Sequence, residues 1–371
     1  MSVYLDLKKE NRNRVYNKIR EAVTISSSAL SYELQLSRPT IKQNLDKLMA
    51  DGHIRENGSF SHTGGRRAKA FSIVEKSQVA IGIDLTRNHL TIIAVDLFGS
   101  IIYEKRLNIT FSATEEYLEF LGAAVEEAVK KQHLKADAIL GVGIALPGLV
   151  TENRDCIFYG KILNFTGMTA NEFGKYIPYK CYLFNDADAA GYAEKSINTK
   201  LKDAFYVSLG NNIGGAFWLS DKVYRGEVST AGEVGHMTII PNGRLCYCGK
   251  RGCFETYCNA RILADNCDGN LALFFERLKD DYENYRAIWN EYLYHLSIAV
   301  NNVRMLLGYK VILGGYVGAY LDDSFEQLKE LATSRNPFED TADYLEVAKV
   351  KREALALGSA LPFIHDFWKN V

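Results

Sequence analysis

The sequence predicts an α/β protein in which an N-terminal winged helix-turn-helix precedes two α/β lobes. Three observations carry that prediction. The first seventy residues are basic and show the spacing of helix, short helix, tight turn and helix. From Ala80 onward the pattern changes to short apolar strands broken by glycine turns, in two successive sets. Between residues 232 and 255 three cysteines and a histidine crowd into one stretch. At 371 residues the chain exceeds one ordinary domain. A composition 47% hydrophobic and 24% charged supplies a sizeable core.

Asn11 to Ala22 reads as the first helix, because Val15, Ile19 and Ala22 recur at three-to-four spacing. Ser26, Ser27 and Ser28 offer caps for a short second helix through Ala29, Leu30 and Leu34. Ser37 caps a third helix with Pro39 in its first turn and Ile41, Leu45 and Leu48 inward. Gly52 stops it, and Ile54 to Phe60 with Gly58 reads as a small β-hairpin. Arg38, Thr40, Lys42, Gln43 and Asn44 form the outer face of the third helix, where they can reach base edges and phosphates in a major groove. Any three-helix domain buries similar aliphatic residues, so the order of elements and the charge matter more than the apolar pattern. Gly64-Gly65-Arg66-Arg67 is flexible and basic. It either brings Arg66 and Arg67 to DNA or serves as a solvated linker. The domain boundary is placed near Ser72, giving a head over residues 1–72 and a body over 73–371.

Net charge is −1, but its distribution is uneven. Residues 1–73 hold 13 Lys+Arg against 7 Asp+Glu, a balance of +6, and the remaining 31 against 38 give −7. A basic end on an acidic body suits nucleic-acid binding, although an ordinary basic patch leaves the same trace. No apolar run is long enough to span a membrane, and Met1–Glu10 lacks the apolar core of a signal peptide. Seven cysteines, three of them clustered, read as metal chemistry in a reducing cytoplasm and not as a disulfide framework.

In the body, Ile81–Leu85, Leu90–Asp96 and Ile101–Leu107 read as strands, followed by a helix over Thr114–Lys131 and a buried strand over Ile139–Ala145. Ala204–Leu209 and Gly215–Leu219 flank a glycine turn, Arg286–Leu307 is a long helix, and Lys310–Leu313 runs into Gly314-Gly315. Two strand sets of this kind predict two lobes with a cleft between them. His236, Cys246, Cys248 and Cys253 make three thiolates and one imidazole, a closed tetrahedral set of the kind structural zinc prefers. Glu233 and Glu255 bracket the set without being needed to hold a metal, which suggests a loop that presents carboxylates to a polar ligand. A zinc that merely staples the loop accounts for the ligands equally well.

Ala231–Glu255, Asn185-Asp186-Ala187-Asp188 and Leu146-Pro147-Gly148 resemble the ROK family of sugar kinases and sugar-responsive repressors, over nearly the whole chain. The head followed by Thr63-Gly64-Gly65-Arg66 resembles the repressor branch, which includes xylose and N-acetylglucosamine regulators. The resemblance implies an actin-like ATPase fold, a dimer or tetramer, and zinc on His236, Cys246, Cys248 and Cys253. It implies sugar hydroxyls bound by Asn185, Asp186, Glu233, His236 and Glu255, since carboxylates and an amide can accept from and donate to vicinal hydroxyls. In kinases of the family the aspartate matching Asp186 is the catalytic base; from the residues alone, Asn185-Asp186 is equally a helix cap.

The kinase pattern breaks in its phosphate loops. Where the family's kinases carry Asp-x-Gly-Gly-Thr, this chain has Asp84-Leu85-Thr86-Arg87-Asn88-His89. Where they carry Gly-Thr-Gly-Ile-Gly-Gly-Gly, it has Gly210-Asn211-Asn212-Ile213-Gly214-Gly215-Ala216. Bare backbone that could approach phosphates is replaced by side chains. The expectation is therefore a DNA-binding, sugar-sensing repressor and not an enzyme, with operator DNA and a sugar as partners, no membrane, and a homodimer or homotetramer as the working unit. The alternatives are a sugar kinase that kept a DNA-binding head and a module that binds another protein through its body.

Overall fold

A computed structural model describes the chain except for residues 1, 61–67, 199, 221, 281 and 282. Arg66 and Arg67, expected near DNA, lie outside the described residues. Helix α1 (Ser2–Ala22) begins well before Asn11. No glycine or proline interrupts residues 2–10, and their polar character hides the extension from an apolar-spacing argument. After β1 (Ile25–Ser26), α2 (Ser27–Leu34) is capped by Ser26, whose Oγ accepts from the Ala29 amide at 3.2 Å. Ser37 caps α3 (Arg38–Ala50) in the same way, with Pro39 in the first turn. Ile54–Phe60 is a single strand, β2, and not a hairpin in itself. Its antiparallel partner is β3 (Ala68–Ile73), with Ile54 opposite Ile73. The wing thus reaches further along the chain than Gly58 suggested, because residues 61–67 separate its arms.

The first lobe opens with a meander of β4 (Val79–Leu85), β5 (Leu90–Val95) and β6 (Ile101–Leu107). Helix α4 (Glu115–Lys131) then leads to β7 (Ile139–Leu146), which lies parallel to β4. A ribbon of β8 (Leu149–Val150) and β9 (Ile157–Tyr159) and the short α5 (Ala170–Phe173) precede β10 (Cys181–Asn185) and α6 (Asp186–Ile197). The sheet order is β10-β7-β4-β5-β6.

The second lobe repeats the plan. The meander is β11 (Ala204–Leu209), β12 (Ile213–Leu219) and β13 (Lys222–Tyr224). Helices α7 (Glu255–Cys258), α8 (Arg261–Ala264), α9 (Leu271–Lys279) and the long α10 (Glu283–Leu307) follow. Strand β14 (Lys310–Gly314), α11 (Gly315–Gly318), α12 (Phe325–Thr333) and β15 (Leu345–Val347) complete a sheet ordered β13-β12-β11-β14-β15. In both lobes the first meander strand pairs in parallel with the strand after the long helix. The turns β4–β5 and β11–β12 are therefore equivalent positions, and they face each other across the cleft.

Helix α13 (Ala354–Asn370) ties the parts together. It returns from the second lobe to lie on β4, β5, β7 and α6. The approach is close enough to require glycine. A Cβ on Gly82 of β4 would sit 2.0 Å from the Ala356 carbonyl oxygen, and one on Gly358 would sit 1.6 Å from that of Ala189 in α6. The far end of α13 docks the head. Val15, Tyr16, Ile19, Leu30 and Ile41 share one continuous core with Ala356, Leu361 and Ile364. Arg12 Nε donates to the Val371 carbonyl at 2.8 Å, Asn17 Nδ2 to that of Trp368 at 2.9 Å, and Asn13 Nδ2 to that of Lys369 at 2.5 Å. The last carbonyls of a helix have no partner within it, and here α1 supplies one. The Arg20 guanidinium lies 3.8 Å over the Trp368 ring.

Gly358→Ala should cost about 1–3 kcal/mol of stability by overpacking the α6–α13 contact. Urea unfolding followed by circular dichroism reads this out, and an unchanged midpoint would show that the contact can relax at no cost.

Candidate functional site

The loop that carries the candidate metal ligands is built by short-range backbone pairing. Thr238 bridges Cys253 and Leu245 bridges Arg251, folding residues 238–253 back on themselves. The Cys246 amide donates to the Lys250 carbonyl at 2.8 Å, and the Gly249 amide to that of Cys246 at 2.9 Å. This brings one ligand atom each from His236, Cys246, Cys248 and Cys253 to within 4.8 Å of one another. Cys248 Sγ is 3.7 Å from Cys253 Sγ, and Cys246 Sγ is 3.7 Å from His236 Nδ1. A tetrahedral ion with bonds of about 2.3 Å needs ligand–ligand edges of about 3.8 Å. The four residues thus fit a metal ion, and the donor set is that of a closed structural site. Burial holds the His236 imidazole below its ordinary pKa, which favours the neutral ring that a metal requires.

Beside this loop, at the junction of the lobes, lies a cavity of about 50 Å³. Asn185, Asp186, Glu233 and His236 all line it, together with Tyr159, Lys161 and Tyr247. Asn185 is also the cap of α6: its Oδ1 accepts from the Asp188 amide at 3.0 Å, and its Nδ2 donates to the Gly148 carbonyl at 3.1 Å. The cap places Asp186 in the first turn of the helix, facing the cleft. Burial pushes the Asp186 carboxyl up to about 7, with Glu233, Asp84 and Asp188 adding to the rise and the Ala187 amide opposing it. Burial, reinforced by Asp188, also raises Glu233. His236 turns Nε2 away from the cysteines, and that nitrogen lies 3.2 Å from the Tyr247 hydroxyl.

Glu255 is placed differently. It is buried behind the β11–β12 turn, where its carboxylate accepts from the Ile213 amide at 2.5 Å, and it is not among the residues lining the cavity. Burial pushes it up to about 7. The sequence pattern brackets the metal loop with two acids, but the structure gives them different neighbours. Tyr159, Lys161 and Tyr247 were not among the expected site residues. The signal for Tyr247 was its position between two ligating cysteines.

A second cavity of about 100 Å³ adjoins the first, sharing Pro147, Ile162, Asp186 and Asn212 with it. Both equivalent turns line it, one through Thr86 to His89 and the other through Gly210 to Asn212. His89 is buried there, with Nδ1 2.8 Å from Thr86 Oγ1 and Nε2 3.5 Å from Asp84 Oδ2. The same Nε2 lies 3.3 Å from the hydroxyl of Tyr316, which belongs to the second lobe. Arg87 donates to the Ile162 carbonyl. The His89–Tyr316 contact ties one lobe to the other, whereas that of Arg87 stays within the first lobe.

In the head, Arg38, Lys42 and Gln43 are exposed while Thr40 and Asn44 are partly buried. The five fall on two sides of α3. Thr40, Gln43 and Asn44 share a groove with Lys8, Lys9 and Arg12 of α1. Arg38 and Lys42 face Ser27, Ser28 and the wing residue Lys69. Asn44 Nδ2 donates to the Thr40 carbonyl at 2.8 Å, so reaching a base would require it to leave that bond.

A family model described as ROK family matches residues 80–365. The xylose repressor of Caldicellulosiruptor bescii is 25% identical over 392 residues, covering 97% of this chain and 96% of the repressor. A solved structure described as a ROK family transcriptional regulator, homolog of the E. coli MLC protein, superposes with a TM-score of 0.76. It covers 98% of this chain and 97% of its own, at 21% identity. A ROK family glucokinase from Streptomyces griseus, in complex with glucose and AMPPNP, superposes with a TM-score of 0.61 at 20% identity, over 76% of this chain and 98% of the glucokinase. Among the described residues no helix is long and apolar enough to cross a membrane.

Two outcomes follow from the site's geometry. Cys248→Ser should reduce bound metal from one ion per chain to well below half, as measured by elemental analysis after dialysis; full retention would remove Cys248 from the ligand set. Asp186 has a raised carboxyl, so its protonated form suits the fold, and that advantage fades as pH rises through about 7. Asp186→Asn should therefore raise the unfolding temperature relative to the parent more at pH 8 than at pH 5.5. An equal difference at both values would mean that burial does not govern this group.

Proposed function

The chain belongs to the ROK family, and from that premise we propose that it is a sugar-responsive transcriptional repressor. Residues 1–72 form the operator-binding head, and residues 73–371 the sugar-sensing body. The carrying observation is the contrast between the two halves of the cleft. One half gathers Asn185, Asp186, Glu233 and His236 beside the metal loop. The other half, where a nucleotide's phosphates would lie, is a cavity of about 100 Å³ whose β4–β5 turn carries Arg87, Asn88 and His89 and no glycine, with His89 reaching Tyr316 of the second lobe. The cleft can then hold a sugar without transferring a phosphoryl group to it. Asp186 serves as a hydrogen-bond acceptor for a sugar hydroxyl, and Glu233 acts beside it. Glu255 acts from behind, by fixing the β11–β12 turn through the Ile213 amide.

The metal is zinc on this reading, held by His236, Cys246, Cys248 and Cys253. When bound it fixes the imidazole ring, leaving Nε2–H to donate to a ligand oxygen. The likeness to a xylose repressor over nearly the whole of both chains supports the regulatory reading. Asp186 at the cleft and the cavity beside it, lined in part by Gly210 and Gly315, favour the kinase alternative.

The same structure offers a route from cleft to DNA. Asp186 opens α6, and α6 packs along α13. Glu194 of α6 accepts from the Lys349 and Val350 amides at 2.8 and 3.0 Å, just before α13 begins. The far end of α13 holds α1 of the head. A sugar shifts DNA binding only by its differential affinity for two arrangements of these parts, a coupling of about 1–3 kcal/mol. Operator DNA with two-fold symmetry calls for a homodimer, or a homotetramer built from it.

Fluorescence anisotropy on DNA from upstream of the protein's own gene tests the reading. Binding should weaken steeply between 50 and 200 mM salt, and one sugar of a pentose and hexose panel should weaken it about 5- to 150-fold. Glu233→Ala should raise the sugar concentration needed for half-release at least tenfold and leave sugar-free DNA affinity within twofold. ATP-dependent phosphorylation of the sugar, lost in Asp186→Asn, would establish the kinase reading instead.

A further inference from the structure

The two walls of the smaller cavity come from different lobes. Pro147, Gly148, Asn185 and Asp186 belong to the first lobe, and Glu233 and His236 to the second. Arg225, just after β13 in the second lobe, reaches across to the first. Its Nη2 lies 3.0 Å from Asp188 Oδ2 in the first turn of α6, and its Nη1 donates to the Val150 carbonyl of β8 at 3.2 Å. Both landing points adjoin residues that line the cavity. The Asp188 amide donates the capping bond to Asn185, and Val150 follows Leu149. On its own lobe, the Arg225 carbonyl accepts from the Ala231 amide at 3.1 Å, which closes the short loop leading into Glu233.

The pair is sheltered, with side-chain exposures of 24% for Arg225 and 16% for Asp188. Exposed ion pairs hold elements together weakly, whereas a planar guanidinium held by a carboxylate and a carbonyl in fixed directions resists sliding. Parting the lobes breaks both bonds at once. A sheltered charge stranded by such a break is costly, but Asp188 keeps a countercharge within the first lobe. Burial raises the Asp188 carboxyl, and Arg225 and then Arg154 pull it back. Arg154 lies in the turn between β8 and β9, with its guanidinium 4.5 Å over the Phe184 ring. We propose that Arg225 is a positioning residue of the effector cleft: through Asp188 and Val150 it holds the wall that carries Glu233 and His236 against the wall that carries Asn185 and Asp186. Arg154 keeps Asp188 compensated when that grip is released. The consequence for the effector rests on the reading of the cleft as a sugar site.

Amide hydrogen exchange of the ligand-free full chain tests the grip, and isothermal titration calorimetry with D-xylose and D-glucose tests its consequence. R225A and D188N should each speed exchange about tenfold in residues 148–150 and 228–236 and leave the β11 and β14 amides unchanged. R225A should stay folded, because Arg154 remains beside Asp188; if it does not fold, D188N carries the same comparison. R225A should bind the sugar that the parent binds about tenfold more weakly. R225K, which returns a cation to Asp188, should recover part of that loss. The R225A/D188N double variant should lose no more than about twofold beyond R225A alone, a coupling that a purely structural residue would not show. Unchanged exchange at both stretches overturns the proposal, as do losses of sugar affinity that multiply in the double variant. A parent that binds neither sugar counts against the sugar-site reading alone, because the exchange comparison is made without ligand and decides the role of Arg225 by itself.

Discussion

The burial of α13 is the constraint on which the rest of the molecule depends. From Ala356 to Ile364 every residue of this helix is buried, so it has no solvent face over more than two turns. It can persist only if the first-lobe sheet, α6 and the head all cover it at once. Small residues at the contacts, Gly82 below it and Gly358 within it, set the spacing. The cost of any displacement is therefore shared among three partners. Close-packed interfaces of this kind tend to hold discrete arrangements and to resist gradual deformation. That property suits a helix lying between a ligand cleft and a DNA-binding head.

The cleft shows the complementary economy. Carboxyls at Asp186, Glu233 and Glu255 are all raised by burial, so each is held where its charged form is costly. A ligand that donates hydrogen bonds to Asp186 and Glu233, the two that line the cavity, would relieve part of that cost. The other half of the cleft is a cavity of about 100 Å³ lined by Thr86 to His89 and by Gly210 to Asn212. His89, between Thr86, Asp84 and Tyr316, adds a contact between the lobes. The body resembles a ROK family glucokinase in fold.

Much of this architecture was legible in the sequence because its signals are local. The strands of both lobes read as apolar runs, Ser37 and Pro39 marked the start of α3, and the spacing of Cys246, Cys248 and Cys253 marked the cluster that could hold a metal. The second wing strand was hidden, since Ala68–Ile73 follows a stretch with no strand pattern. The start of α1 was hidden because its first turns are polar. Glu255 carried a pattern-level expectation that could not distinguish a cavity wall from a residue one layer behind it. The docking of the head on α13 joins residues about 350 positions apart, such as Asn17 and Trp368, and contacts of that range leave no trace in periodicity. Tyr247 was marked only by its position between two cysteines.

The central claim is that occupancy of the cleft is read by the head through α13. Hydrogen–deuterium exchange of the full chain, with and without the sugar that releases it from DNA, tests this most directly. The account predicts altered protection in three places: the first turns of α6, the length of α13, and the stretch of α1 from Arg12 to Arg20. Changes confined to the cleft loops, with α13 and α1 unaffected by a sugar that releases DNA, would contradict it.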